Sequence, residues 1–105
     1  MESPNLDYIK KLAAGDIEFE KKIIEILKNE LPEEIKLYES FVFQNNYKDT
    51  ADLVHKLKHK ISILGLVNSY KIAVDFENNL LKKSKILQKE FEQILNSMTN
   101  FINLL

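Results

Sequence analysis

Near the end of the chain, Leu87, Phe91, Ile94, Met98, Phe101 and Leu105 follow one another at spacings of four, three, four, three and four. That rhythm is the apolar seam of a helix packed in a bundle; a half-buried strand would repeat every second residue. A longer run, Phe19, Ile23, Leu27, Leu31, Ile35, Tyr38 and Val42, keeps a helical phase as well. The 105 residues include only two Gly and two Pro, too few for the many turns of an all-β domain. Length and an ordinary apolar content suit one domain with one core. The expectation is an all-α fold: an antiparallel four-helix bundle with a short extra N-terminal helix, forming a single domain over residues 1–105.

Capping residues predict where the helices start and stop. Ser3 is placed to cap the first helix, Pro4 suits its first turn, and Gly15 can end it. Asp16 caps the second helix, with Glu18 and Glu20 facing the positive end of its dipole. Pro32 falls inside the second apolar run, and the unbroken phase across it predicts one kinked helix rather than two. The break comes at "QNNY". A third helix runs from about Lys48 to Leu64 and stops at Gly65. Asn68 can cap a fourth, with Ile72, Phe76 and Leu80 inward, and Ser84 a fifth after the charged turn "KKSK".

Several function classes drop out. With no Cys, the chain has no disulfide, thiolate metal site or cysteine nucleophile. The polar, charged start "MESPNLDYIKK" does not read as a secretory signal, and no apolar run approaches a membrane span. A formal net charge of −1 does not suit a nucleic-acid binder. No membrane or nucleic-acid partner is expected, and a cytoplasmic location is the default.

The two histidines stand out. His55 and His59 lie one turn apart in "HKLKHKISILG". At about 100° per residue, Leu53, Val54, Leu57, Ile61 and Leu64 share one arc of the third helix, and the histidines fall nearly opposite. Lys58 and Ser62 sit beside them, and Ala51 and Lys48 complete that face. His55 is therefore expected in water at the middle of a rigid helix. An exposed imidazole is largely neutral at physiological pH, and its free nitrogen lone pair can act as a nucleophile. Lys56, Lys58, Lys60 and Lys71 surround it with no acid between Leu53 and Val74, which suits an anionic group or an acidic partner. Two histidines four apart can also share a metal, but a lasting site needs further ligands. The chain has no other His, and Asp52 is the nearest carboxylate, so no metal site is assigned.

His55, Lys56, Leu57, Lys58 and, ten residues after His55, Gly65 resemble the signature of histidine phosphotransfer domains: His, any residue, Leu, Lys, Gly, then a second Gly. "FEKKIIEILKNELPEEIKLYESF" resembles that family's preceding helix, including its Leu-Pro, and "AAGD" and "DFENNL" fall where its pattern has similar residues. The likeness covers the chain from about Asn5 to its end. It implies a phosphorelay carrier in two-component signalling. Its His takes a phosphoryl group from a receiver-domain aspartate and passes it to another receiver. Such a carrier hydrolyses no ATP and needs no cofactor of its own; the receiver supplies Mg²⁺. Response-regulator receivers and a hybrid histidine kinase are the implied partners. His55 is then the phosphoacceptor, Lys58 supports the phosphoryl oxygens, and Lys48, Ala51, His59, Ser62 and Leu66 are candidate docking residues. Ile63 and Leu66 leave the core arc, so they either pack on the first helix or form an apolar docking patch. The departure is His59, where the family has Gly. A ring there crowds docking, assists it, or marks an altered activity. The alternative function is a phosphotransfer-like bundle that binds a receiver or kinase without carrying phosphate.

Overall fold

The computed structural model describes residues 2–105, and among them the secondary structure is entirely helical. Five α-helices follow in order: α1 (Asp7–Ala13), α2 (Ile17–Phe43), α3 (Tyr47–Ile63), α4 (Val67–Leu81) and α5 (Gln88–Asn103). Helix α3 packs on both α2 and α4, α5 closes against α4 and α2, and α1 lies on α2. Among the described residues, no helix is long and apolar enough to cross a membrane.

Leu53, Val54, Leu57, Ile61 and Leu64 are all buried, as the wheel requires. Tyr38 of α2, Phe76 of α4 and Phe91 of α5 join them in the centre; the Phe91 ring lies 5.4 Å from Tyr38 and 5.1 Å from Phe76, centroid to centroid. Tilted aromatic pairs at this range gain about 0.5–1.5 kcal/mol beyond their burial. The Tyr38 hydroxyl donates to Glu92 Oε2 at 2.9 Å, so its polar end is satisfied.

Helix α2 runs unbroken through Pro32, whose missing N–H lies on an exposed face. Several expected core positions differ from the pattern. Phe19 is 42% exposed. The 27 residues of α2 extend about 40 Å at 1.5 Å each, beyond the reach of α3 and α5, so only the short α1 covers its first turns. In α5, Phe91, Ile94 and Met98 are buried, but Leu95 and Ile102 complete the seam while Phe101 is half-buried and Leu105 exposed. A helix of 3.6 residues per turn drifts from a 3.5-residue repeat by about 20° per heptad, which slides the buried stripe along.

Asp16 caps α2 as expected, accepting from the Phe19 N–H at 3.1 Å, and Asn46 caps α3 through the Asp49 N–H. The other caps depart from expectation. Ser3 does not cap α1; Asn5 Oδ1 accepts from the Asp7 N–H at 3.0 Å. Asn68 does not cap α4 but lies in its first turn. Glu2 does the work from a distance, its carboxylate accepting from the Asn68 and Ser69 N–H groups at 3.1 and 2.6 Å. Desolvation opposes the charge on Glu2, but the bonds from Ser69 and Asn68, with a smaller contribution from nearby positive charge, hold the carboxyl below the usual range. Ser84 caps nothing helical: α5 begins only at Gln88, after Leu87 in the left-handed region.

Residues 2–6 thus strap the α3–α4 turn. The Asn5 N–H donates to the Leu64 carbonyl at 2.9 Å, and a Cβ at Gly65 would stand 2.7 Å from Asn5 Nδ2. Gly65 also has φ +76°, which favours glycine, and a Cβ there would force the Asn5 side chain to shift from its bond to the Asp7 N–H. Gly15, at φ +90°, has open space around it.

Lys60 is buried, its Nζ 3.0 Å from Glu30 and 2.9 Å from Glu34. Burial alone would push its ammonium down, but the bonds to Glu34 and Glu30 outweigh that and raise it.

Two expectations follow. Gly65→Ala should cost about 1–3 kcal/mol and Gly15→Ala only the backbone share of about 1 kcal/mol, since the Asn5 contact adds to strain at Gly65 alone. Urea unfolding of both variants reads the difference. Lys60→Ala should cost about 2–4 kcal/mol by leaving Glu34 half-enclosed without its counter-ion. Because the folded state holds the Lys60 proton more tightly, its stabilisation is full below the ordinary lysine range and fades as pH climbs through and above it. The alkaline arm of a stability–pH curve should therefore be shallower in the variant.

Candidate functional site

The middle of α3 presents His55 where the wheel put it. Its side chain is 55% exposed, while Val54 and Leu57 on the opposite arc are fully buried. His59, one turn on, is also exposed, and the two rings meet edge to face at 5.2 Å and 89°.

Glu77 of α4 reaches across to this face. Its Oε2 lies 3.2 Å from His55 Nδ1 and its Oε1 lies 2.9 Å from Lys58 Nζ. An ionised carboxylate can only accept, so the proton of this bond sits on Nδ1. In the neutral ring the lone pair is then at Nε2, on the part of the ring turned away from Glu77. Lys58 is only 12% exposed, and its ammonium also lies 5.9 Å over the Tyr70 ring. Both contacts hold its flexible stem along α4.

Glu77 is the residue that the α3 pattern alone does not disclose. It follows the inward Phe76 within "DFENNL" and lies two turns after Tyr70, so both flank the buried arc of α4. An acid on the rim of the helix that packs on α3 is the available signal.

The electrostatics differ from those expected of the lysines. Lys58 is paired with Glu77, and Lys60 with Glu30 and Glu34. A shallow depression beside His55 is lined by Asp49, Asp52 and Glu77 together with Lys56 and Phe41. The surface at His55 is therefore of mixed sign. Lys56 and Lys71 remain exposed.

The expected docking residues divide. Lys48 and Ser62 are exposed seven residues before and after His55, about 10 Å along the helix in each direction. His59 lies beside His55. Ala51 and Leu66 do not belong to this surface, each being only 2% exposed. The buried arc of α3 is wider than an aliphatic count implies because α2 and α4 close on it from two sides, and Leu66 turns inward as the chain enters α4.

On the far side of His59, an apolar groove of about 420 Å³ opens between α1, α2 and the end of α3. Tyr8, Leu12, Phe19, Ile26 and Ile63 line it, and His59 forms its rim. Phe19, absent from the core, is accounted for here.

The bond to Glu77 makes one expectation measurable. Nitrogen-15 NMR of the imidazoles should show His55 in the Nδ1–H form, and Glu77→Ala should move it toward the Nε2–H form. An unchanged tautomer in the variant would mean that the carboxylate does not set the position of the proton.

No protein-family model matches this chain, and neither any curated protein nor any solved structure matches it.

Proposed function

We propose that this chain is a phosphorelay carrier in which His55 accepts a phosphoryl group from a receiver-domain aspartate and passes it to another receiver. The reading takes the five helices as an antiparallel four-helix bundle, α2 to α5, with α1 as the extra helix. The observation that carries it is the His55 ring, open to solvent at mid-helix, with Nδ1 3.2 Å from Glu77 Oε2, so that a neutral ring keeps its lone pair at Nε2.

The chemistry balances without a cofactor on this chain. The Nε2 lone pair attacks phosphorus, the N–P bond forms, and the P–O bond to the aspartate breaks, its electron pair staying on the departing carboxylate. The ring becomes cationic while carrying the phosphoryl group, and Glu77, already on the Nδ1 proton, stabilises that charge. Mg²⁺ on the receiver would neutralise the phosphoryl oxygens during transfer. Lys58 adds a second cation if it turns from Glu77 toward those oxygens. The receiver, lying over His55, would extend onto the neighbouring apolar groove, where exposed Tyr8, Leu12 and Phe19 offer surface to bury.

The alternative, a bundle that binds a receiver or kinase without taking phosphate, draws on two features. Asp49, Asp52 and Glu77 place negative charge near an incoming phosphoryl group, and His59 fills the position where the resembling family has Gly.

Incubation with phosphorylated receiver domains separates the two. Labelling should occur, vanish in His55→Gln and survive in part in His59→Gln. The His55→Gln protein should keep its stability to within about 0.5 kcal/mol, as exposed polar substitutions usually do. Receiver binding without labelling would establish the alternative. In the same assay Lys58→Ala should slow transfer more than Lys56→Ala, because it also strips Glu77 of its counter-ion. Equal effects of the two lysines would leave Lys58 with no special role.

A further inference from the structure

His59 is where the chain departs from the motif it resembles, and the structure gives the departure a physical content. The ring does not point away from the site. It stands edge to face against His55, centroids 5.2 Å apart and planes at 89°. His55 is thus held from two directions: by Glu77 at Nδ1, 3.2 Å away, and by the His59 ring. Neither contact consumes the exposure of the His55 side chain, which remains at 55%.

An exposed histidine on a helix ordinarily exchanges among staggered rotamers within nanoseconds. A nucleophile that samples several orientations is aimed at its target only part of the time. Glu77 alone restrains one nitrogen through one bond, and that carboxylate is shared with Lys58. A second contact, ring edge against ring face, restricts rotation in a way that a single hydrogen bond at the ring edge does not.

We propose that His59 is a positioning residue for phosphoryl acceptance: it braces the His55 imidazole in the orientation that meets Glu77 and turns Nε2 outward. This inference rests on the reading of His55 as phosphoacceptor. It gives the ring at the Gly position a role separate from crowding or assisting docking. The brace acts through ring shape and not through a nitrogen of His59, so another flat ring of similar size replaces it. It acts on the nucleophile before any partner docks, so it serves a small phosphoryl donor as well as a receiver.

The test compares wild type, His59→Ala and His59→Phe with two donors, phosphoramidate, which requires no docking surface, and a phosphorylated receiver. With saturating donor, His59→Ala should slow labelling by about two- to ten-fold, the range spanned by the loss of one aromatic pair. The slowing should appear with both donors and leave the half-saturating receiver concentration unchanged. His59→Phe should restore the rate. Scalar couplings across χ1 of His55 should report one rotamer in wild type and His59→Phe and an average in His59→Ala.

A change confined to the half-saturating receiver concentration, with phosphoramidate labelling untouched, would overturn the brace and make His59 a docking contact. Unchanged couplings in His59→Ala would overturn it too. If wild type takes phosphate from neither donor, the phosphoacceptor reading fails by itself, and the couplings still decide whether His59 holds His55.

Discussion

The burial of one arc of α3 between α2 and α4 governs the rest of the molecule. Val54, Leu57, Ile61 and Leu64 are fully buried, and burying a side chain of that kind stabilises a fold by about 1.5–3 kcal/mol each. Turning α3 by one residue would expose several of them at once. The rotational setting of α3 is therefore firmly held, and with it the outward direction of His55. A polar side chain that contributes little to stability is presented in a fixed place by apolar ones that contribute a great deal.

Charge has a divided role on the same helix. Lys60 and Lys58 both lie largely out of water, each beside carboxylates from a neighbouring helix. Lys60 ties α3 to α2 through Glu30 and Glu34, and Lys58 ties α3 to α4 through Glu77. These pairs sit on the two flanks of the apolar arc, where long stems lie along the core edge and charged ends meet partners. Pairs so placed penalise a slipped helix register, because a shift would leave a half-buried charge alone. The pair at Lys58 also touches the imidazole, so the contact that docks α4 on α3 orients the candidate nucleophile.

The edges of the helical assembly have a different character. Because α2 outruns the helices it packs on, its first turns carry Phe19 and Ile26 into a groove shared with α1. The N-terminal strap fixes the opposite side of this region: Glu2 caps α4, and Asn5 closes over Gly65. One stretch of chain thus joins the α3–α4 turn to α1, which forms part of the wall beside His59.

Periodicity carried what could be read directly. The helical class, the unbroken α2 across Pro32, the inward arc of α3 and the exposure of His55 all depend on spacings within one helix, and a helix has the same geometry wherever it packs. The cap at Asp16 is equally local, since donor and acceptor are three residues apart. Glu2 on α4, Glu77 on His55 and the buried positions of Ala51 and Leu66 depend instead on which helices meet and how closely. Asn68 and Ser84 carry suitable capping side chains, yet tertiary contacts and a left-handed Leu87 put the helix starts elsewhere. The imidazole was legible as an exposed group from α3 alone. Which of its nitrogens meets a carboxylate was decided only by α4, because a hydrogen bond between residues 22 apart exists only once two helices have docked.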